Sequence, residues 1–127
     1  MKPLQFFDKN MGEVVTQLDE HDLDNLDFGV IGFDQESIVR RYNACESKAA
    51  GISPERVLGK HLFSTVAQCM NNYLVAQRFE DALSDCVMLD ETLDYVLTLR
   101  MRPTKVKLRL ISSPAVPMRF VCVLRKS

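Results

Sequence analysis

The sequence lacks the usual signatures of metal, nucleotide and nucleic-acid binding. Its two histidines, His21 and His61, are isolated, and no CxxC or HxxxH spacing occurs, which argues against a zinc site. None of the five glycines falls in a GxGxxG or GxxxxGK setting, so no phosphate-binding loop is predicted. The 16 basic and 17 acidic residues leave a net charge of −1, which gives no reason to expect nucleic acid or an anionic membrane as partner.

Long apolar segments are also missing. No apolar run approaches the roughly 20 residues of a transmembrane helix, and the start, MKPLQFFDKNMGEVV, has no continuous apolar segment, so we expect no secretory signal. The four cysteines show no tight spacing, which favours free thiols in a cytoplasmic protein over disulfides. With 127 residues, of which 46% are hydrophobic, the chain is long enough for one domain with a real core.

Two regions differ in pattern. Residues 1–25 carry apolar side chains at helical spacing among acidic residues, which predicts two short helices that form an N-terminal cap. Residues 26–127 are expected to form the core domain. Its pattern predicts two strands, a helix that Asn43 opens as N-cap, further short helices and one longer helix from Asn71 to Asp85. Three strands with alternating apolar residues follow, and in the first of them Tyr95 and Leu97 fall on one face. This order indicates an α+β fold with one antiparallel sheet and helices on one side of it.

The segment between the early strands and the longest helix holds the candidate functional residues. Tyr42 and Glu46 lie four residues apart, so on a helix they share one face. Cys69 follows at the end of the same segment. A phenol, a carboxyl and a thiol that meet in one pocket could hold a small aromatic acid covalently and tune its charge.

The chain resembles a PAS domain, and more closely the photoactive yellow protein family, from about Leu23 to the C-terminus. Four stretches carry this resemblance: FG at positions 28–29, YNACE at 42–46, VLGKHLFSTVAQC at 57–69 and MRPTKVK at 101–107. The acidic cap also looks like that family's N-terminal cap. The resemblance implies a bacterial blue-light receptor that is not an enzyme and signals to an unknown downstream protein, as a monomer or weak dimer.

The same resemblance implies a cofactor and its site. The cofactor would be 4-hydroxycinnamic acid (p-coumaric acid), bound as a thioester to Cys69. Tyr42 and a protonated Glu46 would donate hydrogen bonds to its phenolate oxygen, since a buried phenolate is costly without donors. Met101 would lie over the ring in the loop before the fourth strand, and the remaining positions of the implied pocket are Ala50, Ile52, Ala67 and Leu97. After light absorption, the Glu46 proton would pass to the phenolate and the cap would partly unfold.

Several positions depart from the family pattern. Ala50 stands where the family often has Thr, so a hydrogen bond that would support Tyr42 is missing. Ile52 stands where the family usually has Arg, so the charged side chain that would cover the chromophore carbonyl is also missing. Gln68 replaces Pro, and Leu97 and Leu99 replace aromatic residues. We therefore expect a shifted absorption band or altered photocycle kinetics.

Other interpretations of the same residues stay open. Cys69 could be a buried core thiol, Tyr42 could end a strand in solvent, Glu46 could be a solvated helix residue and Met101 could fill the core. The chain would then be a PAS module that binds another small ligand or a partner protein without responding to light. An enzyme acting through Cys69 is a weak alternative, because no motif places a base beside it.

Overall fold

The computed structural model describes residues 4–98 and 103–125. The helices are α1 (Met11–Val15), α2 (Glu20–Asp24), α3 (Ala44–Ala50) and α4 (Ala76–Asp85). Single turns of 3-10 helix lie at Pro54–Arg56 and Gln68–Met70, and one turn of π-helix lies at Leu62–Val66. The strands are β1 (Gly29–Phe33), β2 (Val39–Tyr42), β3 (Leu89–Leu97), β4 (Thr104–Ser113) and β5 (Val116–Arg125).

The five strands form one antiparallel sheet in the order β2-β1-β5-β4-β3. Because β1 pairs with β5, the first and last strands of the chain lie side by side inside the sheet. The turn between β1 and β2 is closed by the side chain of Asp34, which accepts hydrogen bonds from the backbone of Glu36 (2.9 Å) and Ile38 (3.0 Å). The predicted α+β class with a central antiparallel sheet is confirmed.

One sheet face packs against α4 and the turns between α3 and α4. We call the buried apolar residues there the site-side core. Its members are Ile31, Phe33, Val39, Tyr42, Val57, Leu62, Phe63, Ala67, Met70, Val75, Phe79, Leu97, Val106, Leu108, Leu110, Val121 and Val123. Burying this many apolar side chains supplies the main driving force for folding of the central domain.

The opposite sheet face is covered by the N-terminal segment. We call this second cluster the cap-side core; its buried members are Phe6, Met11, Val15, Leu23, Leu26, Phe28, Val30, Ile111, Phe120 and Cys122. The helices α1 and α2 have only five residues each, too few to be stable alone. Their order therefore depends on this contact with the sheet. The division into a cap at residues 1–25 and a core at 26–127 remains a prediction.

Arg109 fastens the N-terminal segment to the sheet. From β4, its Nη1 donates to the carbonyls of Phe6 (2.8 Å) and Asp8 (2.7 Å), while Nε and Nη2 bind the Asp90 carboxylate at 2.8 and 2.9 Å. The guanidinium thus joins three separate parts of the chain, and hydrogen bonding to Asp90 raises the pKa of Arg109 above its usual value. Such charge-assisted bonds are stronger than neutral ones.

Asn43 joins the cap, β1 and α3. The residue is 1% exposed. Its side-chain oxygen accepts from the backbone of Val30 (2.9 Å) and of Glu46 (3.1 Å), the second bond being an N-cap of α3. Its amide nitrogen donates to the carbonyls of Leu23 (2.8 Å) and Phe28 (3.0 Å). The prediction that Asn43 opens a helix is confirmed.

The longest predicted helix, from Asn71 to Asp85, begins only at Ala76. Asn72 accounts for the difference: its side-chain oxygen accepts from the backbone of Leu74 (3.0 Å) and Val75 (3.2 Å). An Asn side chain that binds its own neighbouring backbone offers an alternative to the first helical turn. The chain between Cys69 and α4 is therefore a turn, which leaves Asn72 free to face the sheet.

Candidate functional site

Most of the predicted site residues meet on one face of the sheet. Tyr42, Ala67 and Leu97 belong to the site-side core, and Ile52 and Cys69 pack against it. They come from β2, from the turns between α3 and α4, and from β3, so only the folded chain brings them together. Ala50 is also buried, at the end of α3. Met101 lies outside the described residues, as does Leu99.

Cys69 lies half-buried in the turn Gln68–Met70 and forms no disulfide. Its carbonyl accepts hydrogen bonds from the hydroxyl of Tyr95 on β3 and from the amide of Asn72 (3.1 Å), and that amide also lies 2.6 Å from the Tyr95 hydroxyl. These bonds hold the turn against the sheet through the Cys69 carbonyl, and they do not involve the thiol. All four cysteines are free thiols, as predicted.

Tyr42 ends β2, where it pairs with Ile31 of β1 and is 8% exposed. This excludes the interpretation that its hydroxyl-bearing side chain is simply solvated at a strand end. The ring instead packs within the site-side core beside α3.

Glu46 is 1% exposed, which excludes its interpretation as a solvated helix residue. Its carboxylate is bound at both oxygens by the guanidinium of Arg125: Nη1 lies 2.6 Å from Oε1 and Nη2 lies 3.0 Å from Oε2. This two-pronged geometry is the strongest form of carboxylate–guanidinium contact. In this arrangement the carboxyl that was predicted to donate to a ligand accepts both hydrogen bonds of Arg125.

Gly29 makes room for the Glu46 carboxylate. A Cβ atom at Gly29 would lie 2.1 Å from Oε1 of Glu46, far inside the contact distance of any two heavy atoms. The carboxylate thus rests directly on the backbone of β1. The need for a glycine here is steric, since the backbone of Gly29 is that of an ordinary strand.

The sheet register shows that Glu46 and Cys69 face the same side. Tyr95, Val106 and Arg125 form one row of cross-strand partners on β3, β4 and β5, and partners in an antiparallel sheet project to the same face. At one end of this row Tyr95 holds the Cys69 turn. At the other end Arg125 holds Glu46, so the row spans the floor of the candidate site.

Ala50 and Ile52, two departures from the family pattern, lie at the end of α3 and just after it. Ala50 is followed by Gly51 in the left-handed conformation (φ 71°), which ends α3. The carbonyl of Ile52 then accepts from the hydroxyl of Ser47 (2.7 Å), and its side chain packs against the site-side core. Neither Ala50 nor Ile52 has a side chain that can donate a hydrogen bond, so these two positions present an apolar surface.

The electrostatics of the site centre on Arg125. Burial lowers the pKa of Arg125, but the hydrogen bonds and charge of Glu46 outweigh this, so the pKa is raised above its usual value. Burial, followed by the nearby charge of Glu46, raises the pKa of the Cys45 thiol on α3.

Sequence reasoning missed Arg125, Gly29 as a steric requirement, and Tyr95 as a support for Cys69. Tyr95 carried a usable signal, because strand alternation placed it on the same face as Leu97. Arg125 carried none, since it is an ordinary charged residue near the end of a strand and meets Glu46 only through the pairing of β1 with β5.

The fold and site define a PAS domain. A model of the PAS fold matches residues 23–119. The chain belongs to the photoactive yellow protein family: it is 31% identical over 110 residues to the photoactive yellow protein of Halochromatium salexigens and 29% identical to that of Rhodothalassium salexigens, with 87% of each chain covered.

Solved structures agree with this assignment. The photoactive yellow protein domain of the sensor histidine kinase Ppr from Rhodospirillum centenum superposes with a TM-score of 0.79 at 31% identity, covering 90% of this chain and 98% of that one. The PAS domain of an HTR-like protein from Haloarcula marismortui superposes with a TM-score of 0.65 at 14% identity, which supports the fold alone. The chain is thus a sensory PAS domain of the photoreceptor type.

Two further predictions concern metals and membranes. Within residues 4–98 and 103–125, no group of three or more His, Cys, Asp or Glu side chains could hold a metal ion. No helix in that part of the chain is long and apolar enough to cross a membrane.

Proposed function

We propose that this protein is a cytoplasmic blue-light sensor that carries 4-hydroxycinnamic acid as a thioester on Cys69. The observation that best supports the proposal is that the Cys69 turn, Tyr42 and Glu46 share one face of the sheet in a member of this family. The protein binds and signals rather than catalysing a reaction. Its downstream partner is another protein, and it acts as a monomer or weak dimer.

The residues present suit such a ligand. The half-buried thiol of Cys69 can be reached by an activated acyl group. The surrounding Ala67, Leu97 and Ile52 offer apolar contact for an aromatic ring. When bound, the chromophore supplies visible absorption and a light-driven isomerisation of its double bond.

Tyr42 and Glu46 are proposed to hydrogen-bond the phenolic oxygen, and Met101 to cover the ring. For Glu46 to donate a proton, its carboxyl must be protonated, and a carboxylate bound to a guanidinium has no proton to give. The pair with Arg125 therefore has to open in the dark state. After illumination Glu46 gives up its proton and becomes a buried carboxylate, which costs several kcal/mol when it has no partner.

Release of the cap is proposed as the output, and Asn43 supplies the connection. Its side-chain oxygen holds the Glu46 backbone, and its amide holds the carbonyl of Leu23 in the cap. The carboxylate of Asp24 also accepts from the backbone of Ala44 at 2.7 Å. A shift of α3 driven by the charge of Glu46 would strain these bonds first. The five-residue cap helices are the weakest elements they join.

The test is to incubate the full chain with an activated ester of 4-hydroxycinnamate and map the product with trypsin. Each cysteine falls on a different tryptic peptide, namely 42–48, 61–78, 79–100 and 120–125. We expect a mass increase on peptide 61–78 alone. Cys69→Ala should abolish the adduct, whereas Cys45→Ala, which removes another half-buried thiol, should retain it.

An adduct that persists in Cys69→Ala would show that another cysteine is the attachment site. A chain that gains no mass and stays colourless would instead favour the alternative, a PAS module for another ligand or partner that does not respond to light.

A further inference from the structure

Glu46 and Arg125 form a partly buried ion pair that the family resemblance did not lead us to expect. Glu46 is 1% exposed, and the Arg125 side chain is 21% exposed. The two oxygens are bound at 2.6 and 3.0 Å, so both prongs of the guanidinium are used. A carboxylate in this position is stable only because of its partner.

No other described group near the pair is placed to neutralise Glu46. The Cys45 thiol lies next to Glu46 on α3, and burial raises its pKa. Tyr42 and Cys45 lie close enough to Arg125 to affect it, and Asp27 lies near Cys45. None of these neighbours is a basic residue, so Arg125 is the cation that these contacts place beside Glu46 within residues 4–98 and 103–125.

We propose that Arg125 is the counter-ion that receives Glu46 when it is ionised, and that it thereby stabilises the light-activated state. This inference rests on the proposed function. Before illumination Glu46 is protonated and faces the ligand. Once its proton has moved to the phenolate oxygen, the carboxylate closes onto Arg125 in the arrangement described above.

The geometry favours a switch between these two partners. Arg125 ends β5 on the same sheet face as Val123, the cross-strand partner of Gly29 on which the carboxylate rests. Glu46 lies in the first turn of α3, so its side chain can turn toward the ligand or toward the strand end. Arg125 is a positioning residue, because it acts on the ligand only through Glu46.

The first arm of the test uses the full chain without chromophore. Infrared difference spectroscopy of the carboxyl group, assigned with Glu46→Gln, reports whether Glu46 carries a proton at pH 7. We expect a carboxylate in the wild type and in Arg125→Lys, which keeps the charge, and a protonated carboxyl in Arg125→Gln. Arg41→Gln, which removes an arginine from the exposed pair with Glu20, is the matched control and should behave as wild type.

The second arm uses the chromophore-loaded protein. Loss of an opposite charge within 4–6 Å changes an ionisation equilibrium by about 10- to 1000-fold. Return to the dark state after a light pulse should therefore be on the order of tenfold faster in Arg125→Gln, and close to wild type in Arg125→Lys and Arg41→Gln.

The outcomes separate this inference from the proposed function. A carboxylate in chromophore-free Arg125→Gln, or a protonated Glu46 in the chromophore-free wild type, overturns the role of Arg125. An unchanged return rate in coloured Arg125→Gln also overturns it. If the chromophore does not attach to any variant, the proposed function fails, and the chromophore-free arm still decides whether Arg125 keeps Glu46 ionised.

Discussion

Replacing Asn43 by Ala should destabilise the protein by about 4 kcal/mol. The side chain makes four hydrogen bonds, two as acceptor and two as donor, at 2.8–3.1 Å in a site that is 1% exposed. At roughly 0.5–1.5 kcal/mol each, they contribute about 2–6 kcal/mol, which includes the N-cap of α3. Domains of this size have about 5–15 kcal/mol of stability, so the melting temperature should fall by roughly 10–20 °C.

Urea denaturation followed by circular dichroism measures this loss, and two variants separate its parts. Asn43→Asp keeps the acceptor oxygens for Val30 and Glu46 but loses both donor bonds, one to the Leu23 carbonyl in the cap and one to the Phe28 carbonyl before β1. We expect Asn43→Asp to lower the free energy of unfolding, but by less than Asn43→Ala does. Asn25→Ala removes an exposed amide with one bond to the His21 carbonyl (3.1 Å) and should change stability by less than about 0.5 kcal/mol. A loss below about 1 kcal/mol in Asn43→Ala would refute the view that Asn43 joins the cap to α3.

Three further predictions concern sterics, thiol reactivity and pH. Gly29→Ala should lower the free energy of unfolding, measured by urea denaturation, by about 1–3 kcal/mol because its Cβ meets Glu46. Gly12→Ala, whose Cβ would lie 3.6 Å from Ile111, should not destabilise the protein. Equal effects of the two variants would contradict the steric argument. Burial raises the pKa of Cys122 to about 12, so iodoacetamide at pH 8 should label exposed Cys86 long before Cys122, and labelling of Cys122 should speed up when the cap opens. Burial alone would raise the pKa of Asp34, but hydrogen bonds from Ile38, Arg40 and Glu36 outweigh it and hold the pKa below 3.8. The ionised carboxylate therefore stabilises the fold above that pH, and this stabilisation is lost as pH falls through the lowered value. Asp34→Asn should make the free energy of unfolding depend less steeply on pH below about pH 4. An unchanged pH dependence would show that these bonds do not matter.

Local patterns predicted the elements that depend on local physics. Strand alternation placed Tyr95 and Leu97 on one face, and both lie against the site-side core. Asn43 was recognised as a helix cap from its residue type and position. The longest helix was predicted too long because Asn72 bonds with its own backbone, and residue type alone does not show where an Asn side chain will point.

The charged interior could not be predicted in the same way. Arg119 on β5 is 2% exposed, donates to the Asp34 carbonyl (2.9 Å) and lies over the Phe33 ring at 4.7 Å. Arg125 meets Glu46 across 79 positions of sequence. An arginine on a strand is normally solvated, and only the register of β5 against β1 and β4 determines what these two arginines contact.

The family resemblance led to the site, and the structure changes one of its parts. Cys69 and Tyr42 both lie in or against the site-side core, whereas the carboxyl of Glu46 is bound by Arg125. The roles of Ala50, Ile52, Ala67, Leu97 and Met101 toward a chromophore remain predictions. Ala50 and Ile52 offer only apolar surface. The polar side chains that could set the charge of a bound ligand are therefore those of Tyr42, Glu46 and Arg125.

The most direct test of the account is the visible absorption of the chromophore-loaded chain before, during and after blue light. We expect an absorption band that requires Cys69, bleaches on illumination and returns in the dark. A band that is unaffected by light, or that forms equally well in Cys69→Ala, would contradict the proposal that this protein senses light through a ligand on Cys69.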